Sequence, residues 1–282
     1  MPAQELRGKP IADKIKEGLV KEVQTLKAAG KTPKLVSLQI GENSASAVYL
    51  KAQKNTAEKL GVEYVLDTMA KETSQDVAER KIIELNNDSS VTGVILQLPV
   101  PEQINAKKLV NFIDPKKDAE GMHSSNLGQV LLGDWNIAPC TAAACLTLIE
   151  STGIELRGKE VVVVGHSEIV GKPLSLMLLS KFATTTVCHI GTGERGTLPD
   201  HVKRAEVLVV AVGKAGLIKG EWVKEGAIVV DVGINKVGDK IVGDVEYNWA
   251  SQRAAYITPV PGGVGPLTVT MLMQNVVNAA KL

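Results

Sequence analysis

The spacing of apolar residues predicts three helices in the first hundred residues. In residues 11–29, Ile15, Leu19 and Val23 lie on one apolar stripe and Gly30 follows as a stop signal. The other two predicted helices are a segment that begins at Ser44 and runs to Leu60, and residues 74–86.

Short apolar runs between these helices predict strands at residues 35–40, 62–66 and 94–98. Pro99 and Pro101 end the last run, because proline cannot donate to a central ladder. Strands that alternate with crossover helices indicate a parallel sheet covered on both faces.

A second α/β pattern begins near Pro139. It predicts helices at residues 141–151, 173–180 and 267–280, and strands at residues 160–164, 184–189, 207–210 and 228–231. The fold class is therefore α/β with two lobes and a cleft between them. The last helix is expected to pack back against the first lobe.

Composition narrows the function classes. Lys and Arg total 32 against 31 for Asp and Glu in 282 residues, so the net charge of +1 gives no bulk attraction to nucleic acid or to an anionic membrane. The charged N-terminus lacks a signal-peptide core, which predicts a cytoplasmic protein without a membrane anchor. Cys140, Cys145 and Cys188 form neither a CxxC pair nor a zinc spacing, so we expect reduced thiols and no metal site.

The segment GHSEIVGKP at residues 165–173 follows a buried strand and opens a helix. Free backbone N–H groups and the helix dipole at such a turn favour a pyrophosphate. The spacing is not GxGxxG, because Ser167 replaces the second glycine and Gly171 comes one residue late. A tight strand-to-helix turn without a ligand is the alternative.

Two further strands end in small residues, at AVG in residues 211–213 and at DVGIN in residues 231–235. In open parallel sheets, ligands bind outside the carboxyl ends of the strands. Three glycine-bearing strand exits in one lobe together favour a dinucleotide.

Five motifs in this order resemble those of the methylenetetrahydrofolate dehydrogenase/cyclohydrolase family. They are QLP at residues 97–99, PCT at 139–141, GHSEIVGKP at 165–173, DVGIN at 231–235 and PVPGGVGPLT at 259–268. The resemblance implies a cytoplasmic homodimer that binds NAD or NADP and a tetrahydrofolate one-carbon substrate. The reaction it implies is oxidation of methylenetetrahydrofolate to the methenyl cation by hydride transfer, followed by addition of water to give formyltetrahydrofolate.

The resemblance also assigns domains and cofactor contacts. Residues 1–138, completed by residues 267–282, would form the folate lobe, and residues 139–266 a Rossmann-like lobe for NAD(P). The implied cofactor-binding residues are Thr141, Gly165, His166, Ser167, Ile190, Arg195, Gly213, Ile234 and Thr268.

On the folate side, the resemblance places Tyr49 where its ring would stack on the substrate. Gln97 would serve as the active-site amide, and Glu120 would hold the pterin through two hydrogen bonds. The remaining implied substrate contacts are Leu98, Pro261, Gly262, Gly263, Val264 and Gly265. Taken singly, Tyr49 also fits half-buried packing, Glu120 an exposed acidic loop, and residues 261–265 a structural turn.

The sequence departs from the family at the catalytic lysine, which lies four residues after the tyrosine. That position is Gln53, and the neighbours Lys51 and Lys54 are displaced around the helix by roughly 100° or more. With Tyr49, Gln53, Gln97 and Glu120 as the catalytic set, the hypothesis is a dehydrogenase with weak or absent cyclohydrolase activity. The alternatives are a fully bifunctional enzyme, in which Lys54 or a water network replaces the lysine, and a non-catalytic folate- or nucleotide-binding regulator.

Two other departures concern the ligands. Glu120 replaces the family's Asp and is one methylene longer, which still allows bidentate pterin binding. His166 and Ile190 replace the Arg and Ser that many NADP-using members carry, which favours NAD. His166 could still donate to a 2′-phosphate, and Arg195, in a loop predicted at residues 191–196, could reach it, so NADP stays open.

Overall fold

The structure is a computed structural model that describes residues 2–42 and 46–282. The predicted helix start at Ser44 lies outside the described residues. The chain forms two compact units, which we name by their sheets. The three-stranded unit comprises Lys14–Cys140 and Val269–Leu282, and the six-stranded unit comprises the residues up to Asp13 together with Thr141–Thr268.

The three-stranded unit confirms the predicted alternation of helices and strands. Its elements are α1 (Gly8–Ala28, which begins in the other unit), β2 (Lys34–Ile40), α2 (Ala47–Leu60), β3 (Glu63–Met69), α3 (Gln75–Asn87), β4 (Gly93–Leu96), α4 (Ala106–Val110) and α5 (Ser124–Leu132). The strands are parallel in the order β3-β2-β4. Strand β4 ends at Leu96, two residues earlier than predicted, and a cis peptide joins Leu98 to Pro99.

The two faces of β2 differ in what they bury. Val36, Leu38 and Ile40 pack in the core against Ala78 and Ile82 of α3. Because side chains alternate along a strand, Ser37 and Gln39 point to the opposite face. Both are buried, so this face places polar groups inside the unit.

The six-stranded unit contains the second predicted pattern and additional short elements. In chain order these are β1 (Gln4–Glu5), α6 (Cys140–Ser151, whose first residue belongs to the other unit), β5 (Glu160–Val164), α7 (Gly171–Ser180), β6 (Thr184–Cys188), α8 (Ile190–Glu194), α9 (Leu198–Arg204), β7 (Val207–Val210), a 3₁₀ turn (Gly220–Trp222), β8 (Ile228–Asp231), β9 (Asn235–Val237), β10 (Lys240–Val242), α10 (Tyr247–Ala250), β11 (Tyr256–Ile257) and the first turn of α11 (Gly265–Ala279, which belongs to the other unit from Val269 onward). The parallel sheet has the order β1-β11-β8-β7-β5-β6, and β9 pairs with β10 as an antiparallel hairpin.

The structure differs from the sequence predictions at both ends of this unit. The residues up to Asp13, assigned by sequence to the first lobe, group with the six-stranded unit because β1 pairs with β11 through Gln4 and Tyr256. Strands of two residues carry no periodicity, so neither was predicted. The stretch at residues 191–196, predicted as a loop, forms most of α8, which His189 caps by accepting from Gly191 N.

The C-terminal helix confirms the predicted return to the first lobe, because α11 from Val269 onward belongs to the three-stranded unit. The three cysteines are free and buried. Within residues 2–42 and 46–282, no helix is both long and apolar enough to cross a bilayer. Nor does this part of the chain bring together three His, Cys, Asp or Glu side chains that could hold a metal ion.

Candidate active site

A buried polar cluster forms where α2 covers the polar face of β2. Gln97, directly after β4, donates from Nε2 to Ser37 Oγ at 2.9 Å and to Gln53 Oε1 at 3.3 Å. Tyr64 on β3 donates from its hydroxyl to the same Gln53 oxygen at 3.3 Å. Gln53 is fully buried, and its Nε2 has no hydrogen-bond partner among the described residues. The Tyr49 side chain also lies within interaction range of the Gln53 amide, so the cluster holds one oriented and fully buried amide.

Tyr49 lies one helical turn before Gln53 on the same face of α2. Burial raises the pKa of its hydroxyl far above the usual range, and the nearby Cys140 and Glu120 add to this effect. Tyr49 therefore stays a neutral donor and acceptor throughout the physiological pH range. It is half-buried, which leaves part of the ring available to a flat ligand.

Glu120 carries the perturbed carboxyl of this site. Burial raises the pKa of Glu120 to about 7, and repulsion from Asp118 contributes. A carboxyl with such a shift is typical of functional sites. The interpretation of Glu120 as a fully exposed loop acid is wrong, since its side chain is half-buried.

The loop that holds Glu120 is built by residues that sequence reasoning missed. Asp118 accepts from Gly121 N at 3.0 Å, from His123 N at 2.7 Å and from Asn126 Nδ2 at 2.9 Å.

Asn275 on α11 donates to Ala119 O at 2.9 Å and to Ala138 O at 2.8 Å. Asn275 is one of several polar residues in α11, together with Thr268, Thr270, Gln274 and Asn278, so the sequence did not single it out.

The lysines near Gln53 in sequence lie on the other side of α2. Lys51 is exposed, and Lys54 is exposed and pairs with Glu58 at 4.0 Å. Leu98 is 45% exposed after Gln97. The structure thus brings Tyr49, Gln53 and Gln97 into one cluster, with Glu120 electrostatically coupled to Tyr49, and leaves the two lysines outside it.

The six-stranded unit presents a glycine turn between β5 and α7. Gly165 has φ of +122°, and a Cβ there would overlap Ala211 O. A Cβ on Gly171 would overlap Gly165 O, so the first residue of α7 packs directly against the backbone of Gly165. Among the described residues, the N–H groups of His166 and Ser167 have no acceptor in the chain. This cradle at a helix N-terminus fits the pyrophosphate of a dinucleotide.

The residues predicted near the adenosine ribose follow β5 and β6, which are neighbours in the sheet. His166 and His189 are in edge-to-face contact, with ring centroids 5.2 Å apart. Ile190 is 77% exposed at the start of α8, and Arg195 is exposed just after that helix. The carboxyl ends of β5 and β6 are therefore followed by the imidazoles of His166 and His189, and Arg195 lies just after α8. The residue directly after β6 is a histidine and not an acidic residue.

The exits of β7 and β8 bring the other predicted glycine loops to the same edge of the sheet. Gly213 has φ of +67° and open space around it, and Ile234 is 70% exposed. Asp231 and Asp244 hold these exits by accepting backbone N–H groups. Sequence reasoning assigned no role to Asp244.

The glycine-rich segment at residues 261–265 belongs to the six-stranded unit, after β11. Gly8 N donates to Gly262 O at 3.0 Å, and a Cβ on Gly8 would overlap Gly263 O, so the N-terminal segment supports this loop. The loop leads into α11 at Gly265, with Val264 accepting from Thr268 N at 3.1 Å. Thr141 is half-buried in the first turn of α6.

These features indicate a class of protein. Dinucleotide-binding α/β proteins have a parallel sheet with a glycine turn between a strand and a helix. They also have glycine-bearing loops at the carboxyl ends of neighbouring strands. The three-stranded unit adds a buried amide cluster and, close to Tyr49, a carboxyl with a raised pKa.

Comparison with known proteins identifies the family. The model of the tetrahydrofolate dehydrogenase/cyclohydrolase catalytic domain matches residues 6–120, and that of the NAD(P)-binding domain of the same family matches residues 139–282. The chain belongs to the tetrahydrofolate dehydrogenase/cyclohydrolase family, as the sequence motifs predicted, and its cofactor is NAD or NADP.

Individual relatives agree over the whole chain. Bifunctional protein FolD 2 of Geobacter sulfurreducens is 46% identical over 276 residues, which are 98% of this chain and 96% of the relative. The crystal structure of bifunctional FolD from Campylobacter jejuni has a TM-score of 0.95 and 40% identity, covering 99% of each chain. Trypanosoma brucei FolD in complex with NADP and an inhibitor also has a TM-score of 0.95, at 36% identity, covering 100% of this chain and 98% of that one.

Proposed function

We propose that the chain oxidises 5,10-methylenetetrahydrofolate to the methenyl form with NAD(P), and that its cyclohydrolase activity is weak or absent. The supporting observation is the state of Gln53. It occupies the position of the family's catalytic lysine, is fully buried, and accepts hydrogen bonds from Tyr64 and Gln97. A carboxamide has no proton to exchange near neutral pH, so it cannot act as the general acid or base for water addition.

Hydride transfer makes smaller demands on the protein. The C–H bond of the one-carbon bridge breaks with both electrons, and the folate nitrogens share the positive charge that remains. NAD(P), when bound, supplies the hydride acceptor. In this proposal Glu120 anchors the pterin and Tyr49 stacks on the folate, while the buried Gln53 amide holds Tyr64 and Gln97 in place beside them. A neutral amide also avoids placing an ammonium beside the developing cation.

Full bifunctionality is the second candidate, because the similar proteins from Geobacter sulfurreducens and Campylobacter jejuni are named bifunctional. It requires another group to replace the lysine. Lys54 is a poor replacement, since it is exposed and pairs with Glu58 on the outer face of α2.

Two assays on one purified sample test the proposal. Methylenetetrahydrofolate is supplied with NAD or NADP while methenyl formation is followed, and methenyltetrahydrofolate alone is then followed for hydrolysis. We expect dehydrogenase turnover with hydrolysis at the uncatalysed rate. Accelerated hydrolysis would establish bifunctionality, and folate binding without nicotinamide reduction would indicate a regulator instead.

We also propose NAD as the preferred cofactor. The ribose edge lacks the Arg and Ser of many NADP-using relatives and carries His166 and Ile190 in their places. The ratio of kcat/KM for NAD to that for NADP measures this preference. A ratio below one would give Arg195 or the histidines the role of binding the 2′-phosphate.

Folate affinity should depend on pH through Glu120. The pKa of about 7 lies above the ordinary value of 4.5, so the folded protein favours the protonated carboxyl, whereas the pterin requires the ionised one. Tetrahydrofolate binding should therefore strengthen about tenfold between pH 6 and pH 8. Calorimetric titration across this range measures it, and Glu120→Gln should bind weakly with a flat profile. The same steep profile in that variant would assign the titration to another group.

The raised pKa of Glu120 also determines how this residue affects the stability of the protein at different pH values. The contribution of Glu120 to the free energy of unfolding is fully present below pH 4.5 and is lost as the pH rises through 7. At pH 8, Glu120→Gln should therefore have a free energy of unfolding roughly 2 kcal/mol higher than the parent, measured by denaturant unfolding.

A cytoplasmic homodimer remains part of the proposal. Strand β6 is a free edge of the large sheet, and the exposed apolar residues Leu179, Phe182 and Val187 lie on or beside it. Such an edge with apolar neighbours favours pairing with a second copy. Sedimentation should give twice the chain mass of 30.0 kDa, and a monomer at micromolar concentration would reject the dimer.

A further inference from the structure

Two buried carboxylates lie behind the loops that follow β7 and β8. Asp231, the last residue of β8, is 4% exposed and accepts three backbone N–H groups. Its Oδ1 accepts from Gly233 at 2.9 Å and from Asp244 at 3.0 Å, and its Oδ2 accepts from Val245 at 2.9 Å. Asp231 therefore ties the exit of its own strand to the chain that returns after the β9–β10 hairpin.

Asp244 continues this link to the neighbouring strand. It is fully buried, and its Oδ2 accepts from Val212 N at 2.8 Å and from Gly213 N at 2.9 Å, both just after β7. Its Oδ1 accepts from Asn235 Nδ2 at 2.8 Å, just after the exit of β8. The Asp244 side chain thus binds both the segment that follows β7 and the segment that follows β8.

Glycines leave room for both carboxylates. A Cβ on Gly243 would overlap the Asp231 carboxylate, and a Cβ on Gly233 would overlap that of Asp244. Each carboxylate therefore occupies the place where a side chain would begin on the opposite segment. This reciprocal packing leaves no room for a side chain between the two segments.

The arrangement is costly for stability. Neither carboxylate makes an ion pair within residues 2–42 and 46–282, and burial, with a contribution from Asp244, raises the pKa of Asp231 to about 6. Neutral side chains could bind the same loops at lower desolvation cost. Charged acceptors bind backbone N–H groups more strongly and in a narrower range of geometries, which suits loops that must present backbone to a ligand.

We propose that Asp244, itself held by Asp231, is a positioning residue for the dinucleotide. It acts through the backbone of residues 211–213 and 232–235, setting the loops after β7 and β8 at the binding edge of the sheet. The inference rests on the NAD(P)-binding function of this unit and does not depend on whether the enzyme has cyclohydrolase activity.

The isosteric variant Asp244→Asn tests the proposal on the full chain. Both carboxylate oxygens accept, one from Val212 N and Gly213 N and the other from Asn235 Nδ2, so the amide must turn its NH2 group towards one of these donors. We therefore expect the Kd for NADH and NADPH to rise about 10- to 100-fold. The Kd for tetrahydrofolate, measured by calorimetry on the same sample, should stay within about twofold. Asp118→Asn is the matched control in the other unit, where an aspartate with three similar acceptor contacts supports the Glu120 loop. It should show the opposite selectivity.

Amide hydrogen exchange provides a readout separate from affinity. In Asp244→Asn the amides of Val212 and Gly213 should lose protection, while strand β7 keeps its protection. Should Asp244→Asn fail to fold, Asn235→Ala removes one contact to Asp244 and should weaken dinucleotide binding less, with the same faster exchange at Val212 and Gly213. Unchanged dinucleotide affinity in a folded variant, or equal weakening of both ligands, would overturn the positioning role.

Discussion

Alanine at Gly171 should strongly weaken dinucleotide binding. The added Cβ would overlap Gly165 O and crowd the carbonyl carbon of Gly165 and Cα of His166, all of them backbone atoms that cannot rotate away. The turn must open, which moves the N–H groups that face the pyrophosphate. We expect about a hundredfold loss of affinity for NADH, and a fall of roughly 3 kcal/mol in the free energy of unfolding. Fluorescence titration and urea unfolding measure the two effects.

Gly193→Ala is the matched control for this substitution. Gly193 lies in α8 of the same unit, and a Cβ there meets nothing within 4 Å. Because alanine favours helix, this variant should bind NADH normally and be equally or slightly more stable. Normal binding by Gly171→Ala would show that the cofactor does not use this turn.

Lysine at Gln53 should create cyclohydrolase activity. The side chain would enter the buried cluster beside Tyr49, where burial lowers the pKa of an amine and allows it to exchange protons near neutral pH. We expect hydrolysis of methenyltetrahydrofolate to rise about a hundredfold above that of the parent protein. Tyr64 and Gln97 would lose their shared acceptor, at a cost of about 2 kcal/mol in stability.

Lys54→Met separates this prediction from the bifunctional alternative. The exposed Lys54 should be dispensable, so its loss should leave both activities and the unfolding midpoint unchanged. If the parent protein hydrolyses methenyltetrahydrofolate and Lys54→Met does not, then Lys54 is the group that replaces the missing lysine. A folded Gln53→Lys protein without hydrolysis would show that the site has lost more than its lysine.

Much of the fold was predictable because local periodicity decides it. Strands β5, β7 and β8 were predicted with their observed limits, since each is a run of buried β-branched or aliphatic residues between polar segments. Helix ends such as Gly61, with φ of +77°, were predictable from the need for a left-handed residue. Strand β1 was not predictable, because two residues form a strand only when β11 offers an edge.

The candidate site was predictable to a smaller extent. Tyr49, Gln97 and the glycine turn were found through motifs, and Gln53 was found as a departure from one. The partners of these residues were not. Ser37 and Tyr64 gain their roles only because β2, β3 and β4 are neighbours in the sheet, and the burial that shifts the pKa of Glu120 arises from packing.

The sequence alone determined the α/β class and the family, and it located the glycine turn at residues 165–173 and the glutamine at position 53, because each depends on residues close together in the chain. The tertiary structure decided which polar groups share a partner. Asn275 reaches Ala119 and Ala138, and Asp244 holds the exits of both β7 and β8. Such contacts join segments whose separation in sequence carries no periodic signal, so only the packed chain reveals them.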